Sequence, residues 1–160
     1  MRHIEELKWI LERQLSWISA ADAKATVVAP MPVTMLAISF YDLSDEFRHI
    51  EWVDLPMMLS IIGLFYVLLQ LMNVLLPRLR GPEESNIFFG RISERNYESF
   101  SADMRVLTEE RFKIDLERQI HINAEIASWK HHHMRLATTG LAFSVPVWLL
   151  SVAVGGGFGA

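Results

Sequence analysis

Three stretches of this chain contain no Asp, Glu, Lys or Arg: Ala25–Tyr41, Leu55–Pro77 and Leu136–Ala160. Charge excluded from segments this long points to lipid as the solvent, because an ionised side chain at the centre of a bilayer costs about 2.5 kcal/mol or more. At about 1.5 Å per residue, roughly 20 helical residues cross a hydrocarbon core of about 30 Å. The stretch LPMMLSIIGLFYVLLQLMNVLLP meets that length with some tilt. LATTGLAFSVPVWLLSVAV meets it before a glycine-rich end. ATVVAPMPVTMLAISFY is shorter and contains Pro30 and Pro32. A soluble core hairpin competes for this first stretch. As a span it is expected to kink and to pack against protein, where neighbours satisfy the backbone groups that proline frees.

The flanks set an orientation. Residues 1–24 hold Arg2, Lys8, Arg13 and Lys24. Residues 42–54 hold Arg48 alone against Asp42, Asp45, Glu46, Glu51 and Asp54, and residues 78–135 hold ten Lys and Arg. The excess of Lys and Arg marks the cytoplasmic side. The N-terminus and residues 78–135 are therefore expected inside, with the acidic loop and the C-terminal end outside. Tyr41 and Trp52 suit the outer boundary, while Trp129 suits either the inner boundary or helix packing. The charged N-terminus lacks the apolar stretch of a signal peptide.

The remaining segments read as helices. Ile4, Leu7, Leu11, Leu15, Ile18 and Ala21 recur at three- and four-residue spacing, the period of an amphipathic helix. Pro77 and LRGPEES break the chain, and Ser85–Gly90 reads as a loop or tight turn. Helical periodicity resumes from about Ser93 to Arg135, with a break expected near Ser99–Asp103. Leu116, Ile120, Asn123, Ala127 and Met134 form one stripe, and Ile122, Ile126 and Trp129 a second. Two stripes imply contacts on two sides, as in an oligomer. The expected fold is thus an oligomeric all-α membrane protein with three transmembrane helices and a helical cytoplasmic segment. Its parts are an amphipathic helix over 1–24, spans at 25–41, 55–77 and 136–154, and the cytoplasmic segment at 78–135.

Little here resembles an enzyme. There is no cysteine, so no thiolate nucleophile or cysteine metal site. Glycine-rich phosphate loops, paired-carboxylate constellations and HExxH are absent too. His131, His132 and His133 project about 100° apart on a helix and cannot share one ion as a facial set. They read as a polar collar at the inner boundary. No catalytic residue, metal or cofactor is expected.

Polar residues within the spans carry more information. Gln70 and Asn73 share a helical face, and amides in lipid need partners or water. Either they join helices or, with Thr138 and Thr139, they line a water-filled path that Ser144 also faces. Hydroxyls that bond the preceding turn are weaker indicators. Arg78, Arg80, Arg91 and Arg95 surround Phe88 and Phe89. Arginine forks match phosphate and aromatic rings stack on bases. The same residues also suit anionic lipid and an aromatic core.

Trp17-Ile18-Ser19-Ala20-Ala21-Asp22-Ala23-Lys24-Ala25 is the most specific of three informative stretches. The others are Leu76-Pro77-Arg78 through Ser85-Asn86-Ile87-Phe88-Phe89-Gly90, and Asp115-Leu116-Glu117-Arg118-Gln119-Ile120 with Asn123 and Lys130. Together, from about Leu15 to the third span, they resemble the Pycsar-type transmembrane effector family of bacterial antiphage defence, which includes Hailong-type channel effectors. Pro30 and Pro32 depart from that family's smoother first span. The resemblance implies a partner nucleotidyltransferase that makes a nucleotide second messenger or a short oligodeoxynucleotide. This ligand either opens an ion channel or holds it closed, and the effector permeabilises the bacterial inner membrane to abort infection. By position in the matching motifs, Lys24, Arg78, Arg91, Arg118, Gln119 and Asn123 are the implied ligand contacts, with Asp22 orienting Lys24. Three helices are too few to enclose a water path, so a homo-oligomer in membrane lipid, a tetramer, is expected. The alternative is a non-conducting membrane anchor that recruits a soluble partner through its cytoplasmic helices.

Overall fold

The computed structural model describes residues 2–45, 54–78 and 80–155. The readings placed on Glu46, Arg48, Glu51 and Trp52, and on residues 156–160, lie outside the described residues. All regular elements among the described residues are α-helices: α1 Arg2–Val28, α2 Pro30–Asp45, α3 Leu55–Leu75, α4 Phe89–Ser93, α5 Tyr97–Arg105 and α6 Glu109–Gly155. Three described stretches are long and apolar enough to cross a membrane: His3–Asp42, Leu55–Leu75 and Glu109–Val154.

Local chemistry explains where the helices stop. Pro30 and Pro32 lack the N–H groups that would bond the carbonyls of Thr26 and Val28. The helix therefore divides at Ala29, whose own N–H still reaches Ala25 O at 2.8 Å. Proline suits the first turn that opens α2. Pro32 is buried, as expected of a kink packed against protein. At the end of α3, Leu76 turns extended (φ −63°, ψ 127°), because Pro77 disfavours helical backbone in the residue before it. Asn96 caps α5, its side chain accepting from Ser99 N at 2.8 Å. Thr108 Oγ1 accepts from Arg111 N at 3.3 Å at the start of α6. Glu109 and Glu110 occupy the first turn of α6, where the helix dipole favours negative charge.

These caps relocate the break expected near Ser99–Asp103. That segment lies inside α5, and the interruptions fall at residues 94–96 and 106–108. The physical reason is that Ser99 supplies the N–H captured by the Asn96 cap, which starts a helix rather than ending one.

The chain divides into two compact units. One comprises Met1–Ala21 and Pro77–Lys130, the other Asp22–Leu76 and His131–Ala160. In the second, α2 packs along α3, and Phe40 meets Phe65 edge-on with centroids 6.2 Å apart. Leu64, Val67, Leu71, Val74 and Ala137 are buried there. Burying such residues against one another gains little from the hydrophobic effect when lipid is the alternative, so close packing and hydrogen bonds must hold the helices. The seam between α3 and α6 has the small residues this requires. A Cβ added to Gly140 would lie 2.8 Å from Val67 Cγ2, and one added to Gly63 would collide with Ser144 Oγ. Trp148 Nε1 donates to Ser39 Oγ at 2.9 Å, joining α6 to α2.

Candidate functional site

The unit formed by Met1–Ala21 and Pro77–Lys130 contains a cleft of ≈ 590 Å³, a volume suited to a small organic ligand. It is assembled around a turn. Ser85 is buried, and its Oγ accepts from Ile87 N at 3.1 Å and Phe88 N at 2.9 Å. This folds the chain into α4. Asn86 N donates to Asp115 Oδ2 at 2.7 Å, tying the turn to α6. Arg95 clamps the other side. It donates to Ser85 O at 2.7 Å and to Asn86 Oδ1 at 2.9 Å, and pairs with Asp103 Oδ2 at 3.0 Å.

Arg95, Arg111 and Arg118 line the cleft together with the carboxylates of Glu83, Glu84, Asp103 and Asp115. The charges are not equivalent. Arg95 is committed to the turn, whereas Arg111 and Arg118 are exposed and form no ion pair among the described residues. These two guanidinium groups stand at positions i and i+7 of α6, on one helical stripe, with Asp115 between them. A phosphate approaching the cleft would find two available bidentate donors.

Next to the cleft, α6 buries a polar face. Asp115, Gln119, Asn123 and Lys130 are 5%, 7%, 5% and 5% exposed. Gln119 Nε2 donates to Asn123 Oδ1 at 3.1 Å. Asp115 Oδ1 and Gln119 Oε1 are buried and accept no hydrogen bond among the described residues.

The six residues expected to contact ligand are thus separated. Arg118 lines the cleft, and Gln119 and Asn123 follow it on the buried face of α6. Arg78 instead sits over the Trp129 ring, 3.0 Å from its centroid. Burial, and then the neighbouring Arg80, lower its pKa, yet a guanidinium stays charged at neutral pH. Arg91 pairs with Glu94 at 2.7 Å on the surface. Lys24 is exposed and belongs to the other unit. Neither Arg78, Arg91 nor Lys24 lines the cleft. Sequence reasoning missed Arg111. It grouped Arg95 with the arginines around Phe88 and Phe89, and it placed Asn86 and Asp115 in motifs without seeing that the three meet at one turn. The spacing Asp115–Gln119–Asn123 was a readable signal of a polar helical stripe. The reach of Arg95 back to Ser85 had no local signature.

The polar residues of the other unit are also accounted for. Gln70 Oε1 lies 2.6 Å from His133 Nδ1, a hydrogen bond between α3 and α6. Asn73 Nδ2 donates to Leu69 O at 3.0 Å, and Thr138 Oγ1 to Met134 O at 2.9 Å. Thr138 and Thr139 are exposed. Ser144, expected to face a water path, is buried beside Gly63, because the seam takes only small residues there. No cluster of three His, Asp or Glu residues suited to a metal occurs among the described residues.

A family model described as the Pycsar effector protein domain matches residues 6–155. Neither a curated protein nor a solved structure matches the chain.

Proposed function

The chain belongs to the Pycsar effector family, membrane effectors of antiphage defence, and from this premise we propose that it is an oligomeric, nucleotide-regulated channel or permeabilising effector of the bacterial inner membrane. The observation that carries this reading is the pair Arg111 and Arg118, uncommitted at a nucleotide-sized cleft, in a chain with three helices fit to cross a membrane. A partner nucleotidyltransferase supplies the ligand, a nucleotide second messenger or short oligodeoxynucleotide. Arg118 with Arg111 holds its phosphate. Gln119 and Asn123 support the site from the buried face of α6, and Lys24, Arg78 and Arg91 take part where copies of the chain meet. The N-terminus and residues 78–135 face the cytoplasm, following their Lys and Arg excess.

Four copies enclose the path, because three helices alone cannot. Thr138, Thr139 and Asn73 face it, while Gln70 holds α3 to α6 through His133. Ligand shifts the closed–open equilibrium by the difference in its affinity for the two states. The chain passes between its two units inside α1, at Leu76–Pro77 and inside α6.

Ion flux from liposomes holding the purified protein tests this, with and without cyclic mononucleotides and short oligodeoxynucleotides. Flux switched on or off by a probe, and insensitive to that probe in Arg118→Glu, is the expected result. An inserted, intact protein that passes no ions under any condition would sink the channel reading. It would leave the chain as an anchor for a soluble partner.

A further inference from the structure

We propose that Arg78 and Arg80, the first held in place by Trp129, bind the phosphate of an anionic phospholipid headgroup at the end of the second span. This site is separate from the cleft, which neither arginine lines. Both arginines and Trp129 belong to the unit formed by Met1–Ala21 and Pro77–Lys130. The Arg78 guanidinium lies over the Trp129 ring, 3.0 Å from its centroid. Arg78 is half-buried, Arg80 is exposed, and neither forms an ion pair or hydrogen bond among the described residues. Burial and then Arg80 lower the Arg78 pKa. Two positive groups thus stand close together with no carboxylate paired to either, and an anion between them opposes that shift. Just beyond Arg80 the chain is fixed, because Gly81 lies against the Phe88 ring, which a Cβ at that position would strike.

The ring contact decides what the site can take. A guanidinium carried on an aromatic face keeps N–H donors at its edge, in the fork that matches phosphate oxygens. The same contact covers the indole face on which a base would stack. The pair therefore suits a phosphate that brings no base. Depth points to lipid as its source. Arg78 stands three residues beyond Leu75, where α3 ends. Trp129 stands seven residues before the uncharged stretch that opens at Leu136, about 10 Å of helix. The headgroup layer lies next to the ends of the spans, and indole rings concentrate there.

Native mass spectrometry of the full chain in non-ionic detergent tests this, by titration with phosphatidylglycerol or phosphatidylcholine of the same acyl chains. Each guanidinium near anionic lipid contributes about five-fold in affinity. The wild-type chain should therefore prefer phosphatidylglycerol by on the order of 25-fold. Arg78→Gln with Arg80→Gln should erase that preference. Arg135→Gln removes an exposed, unpaired charge at the edge of the third span and should leave the preference in place. Arg78→Lys keeps the charge but not the planar fork. It should lose several-fold, and it serves as the test if the double variant does not fold. No preference in the wild-type chain overturns the proposal. An equal loss in Arg135→Gln, or full binding by Arg78→Lys, also overturns it, in favour of a diffuse attraction to any positive charge. Nucleotide brought to Arg78 by a second copy of the chain would compete with lipid there. Displacement of phosphatidylglycerol by a cyclic mononucleotide or short oligodeoxynucleotide, persisting in Arg111→Glu with Arg118→Glu, overturns the proposal in favour of nucleotide phosphate at Arg78.

Discussion

Replacing Gln70 by leucine removes one end of a 2.6 Å hydrogen bond between α3 and α6 and leaves the other end, His133 Nδ1, part-buried without it. The leucine keeps most of the volume, so the change isolates the polar interaction. Such bonds between membrane helices average about 0.6 kcal/mol and reach about 1.7, less than a vacuum estimate, because helices separated in lipid find other partners. The geometry here is short and crosses between helices 63 residues apart in sequence, which places it in the upper part of that range. Gln70→Leu should thus lower stability by about 1 kcal/mol. His133→Leu should cost a similar amount, and the double variant should show a coupling of about 0.6–1.7 kcal/mol. Reversible unfolding in mixed micelles, followed by far-ultraviolet circular dichroism, measures all four corners of the cycle. Unitary conductance should be unchanged in Gln70→Leu, because the amide is committed to His133. Zero coupling together with an altered conductance would refute the reasoning and put Gln70 in the water path.

Gly140→Ala should weaken the α3–α6 seam by about 1–3 kcal/mol, since the new methyl lies 2.8 Å from Val67 Cγ2 and a β-branched neighbour cannot swing away. Adding Val67→Ala should restore part of the loss in the same unfolding assay. Arg95→Ala should cost about 1.5–3 kcal/mol, because it strips donors from Ser85 O and Asn86 Oδ1 and the partner from Asp103. Hydrogen exchange should accelerate across residues 85–96, and Arg95→Lys should not rescue it, since an ammonium cannot span the planar fork.

The helical, membrane-spanning character of this chain was legible in its sequence for a direct reason. Lipid imposes one rule on each residue of a span separately, that it carry no charge, and a sum of independent rules appears as an uncharged run. Pro30, Pro32 and Pro77 marked helix ends equally locally, through a missing N–H and a clash with the preceding residue. The motifs around Trp17, Phe88 and Asp115 also sufficed to suggest the family.

Partnership is a different kind of fact. Gln70 had two open readings because an amide in lipid needs a partner, and nothing near it in sequence says whether that partner is water or His133. Arg78, Arg91 and Arg95 looked alike as a cluster of positive charge. Packing sent one to Trp129, one to Glu94 and one to a turn ten residues back. The cleft arises because Asp115 captures the Asn86 amide across 29 residues, a closure that only the folded backbone can hold. Sequence alone thus determined lipid as the solvent of the apolar helices and the helix ends that proline sets, but not the break it expected near Ser99–Asp103, which lies inside α5. Tertiary structure decided which polar groups are spent on one another, and so which remain for a ligand, because hydrogen bonds are short and directional and their partners are chosen by distance in space.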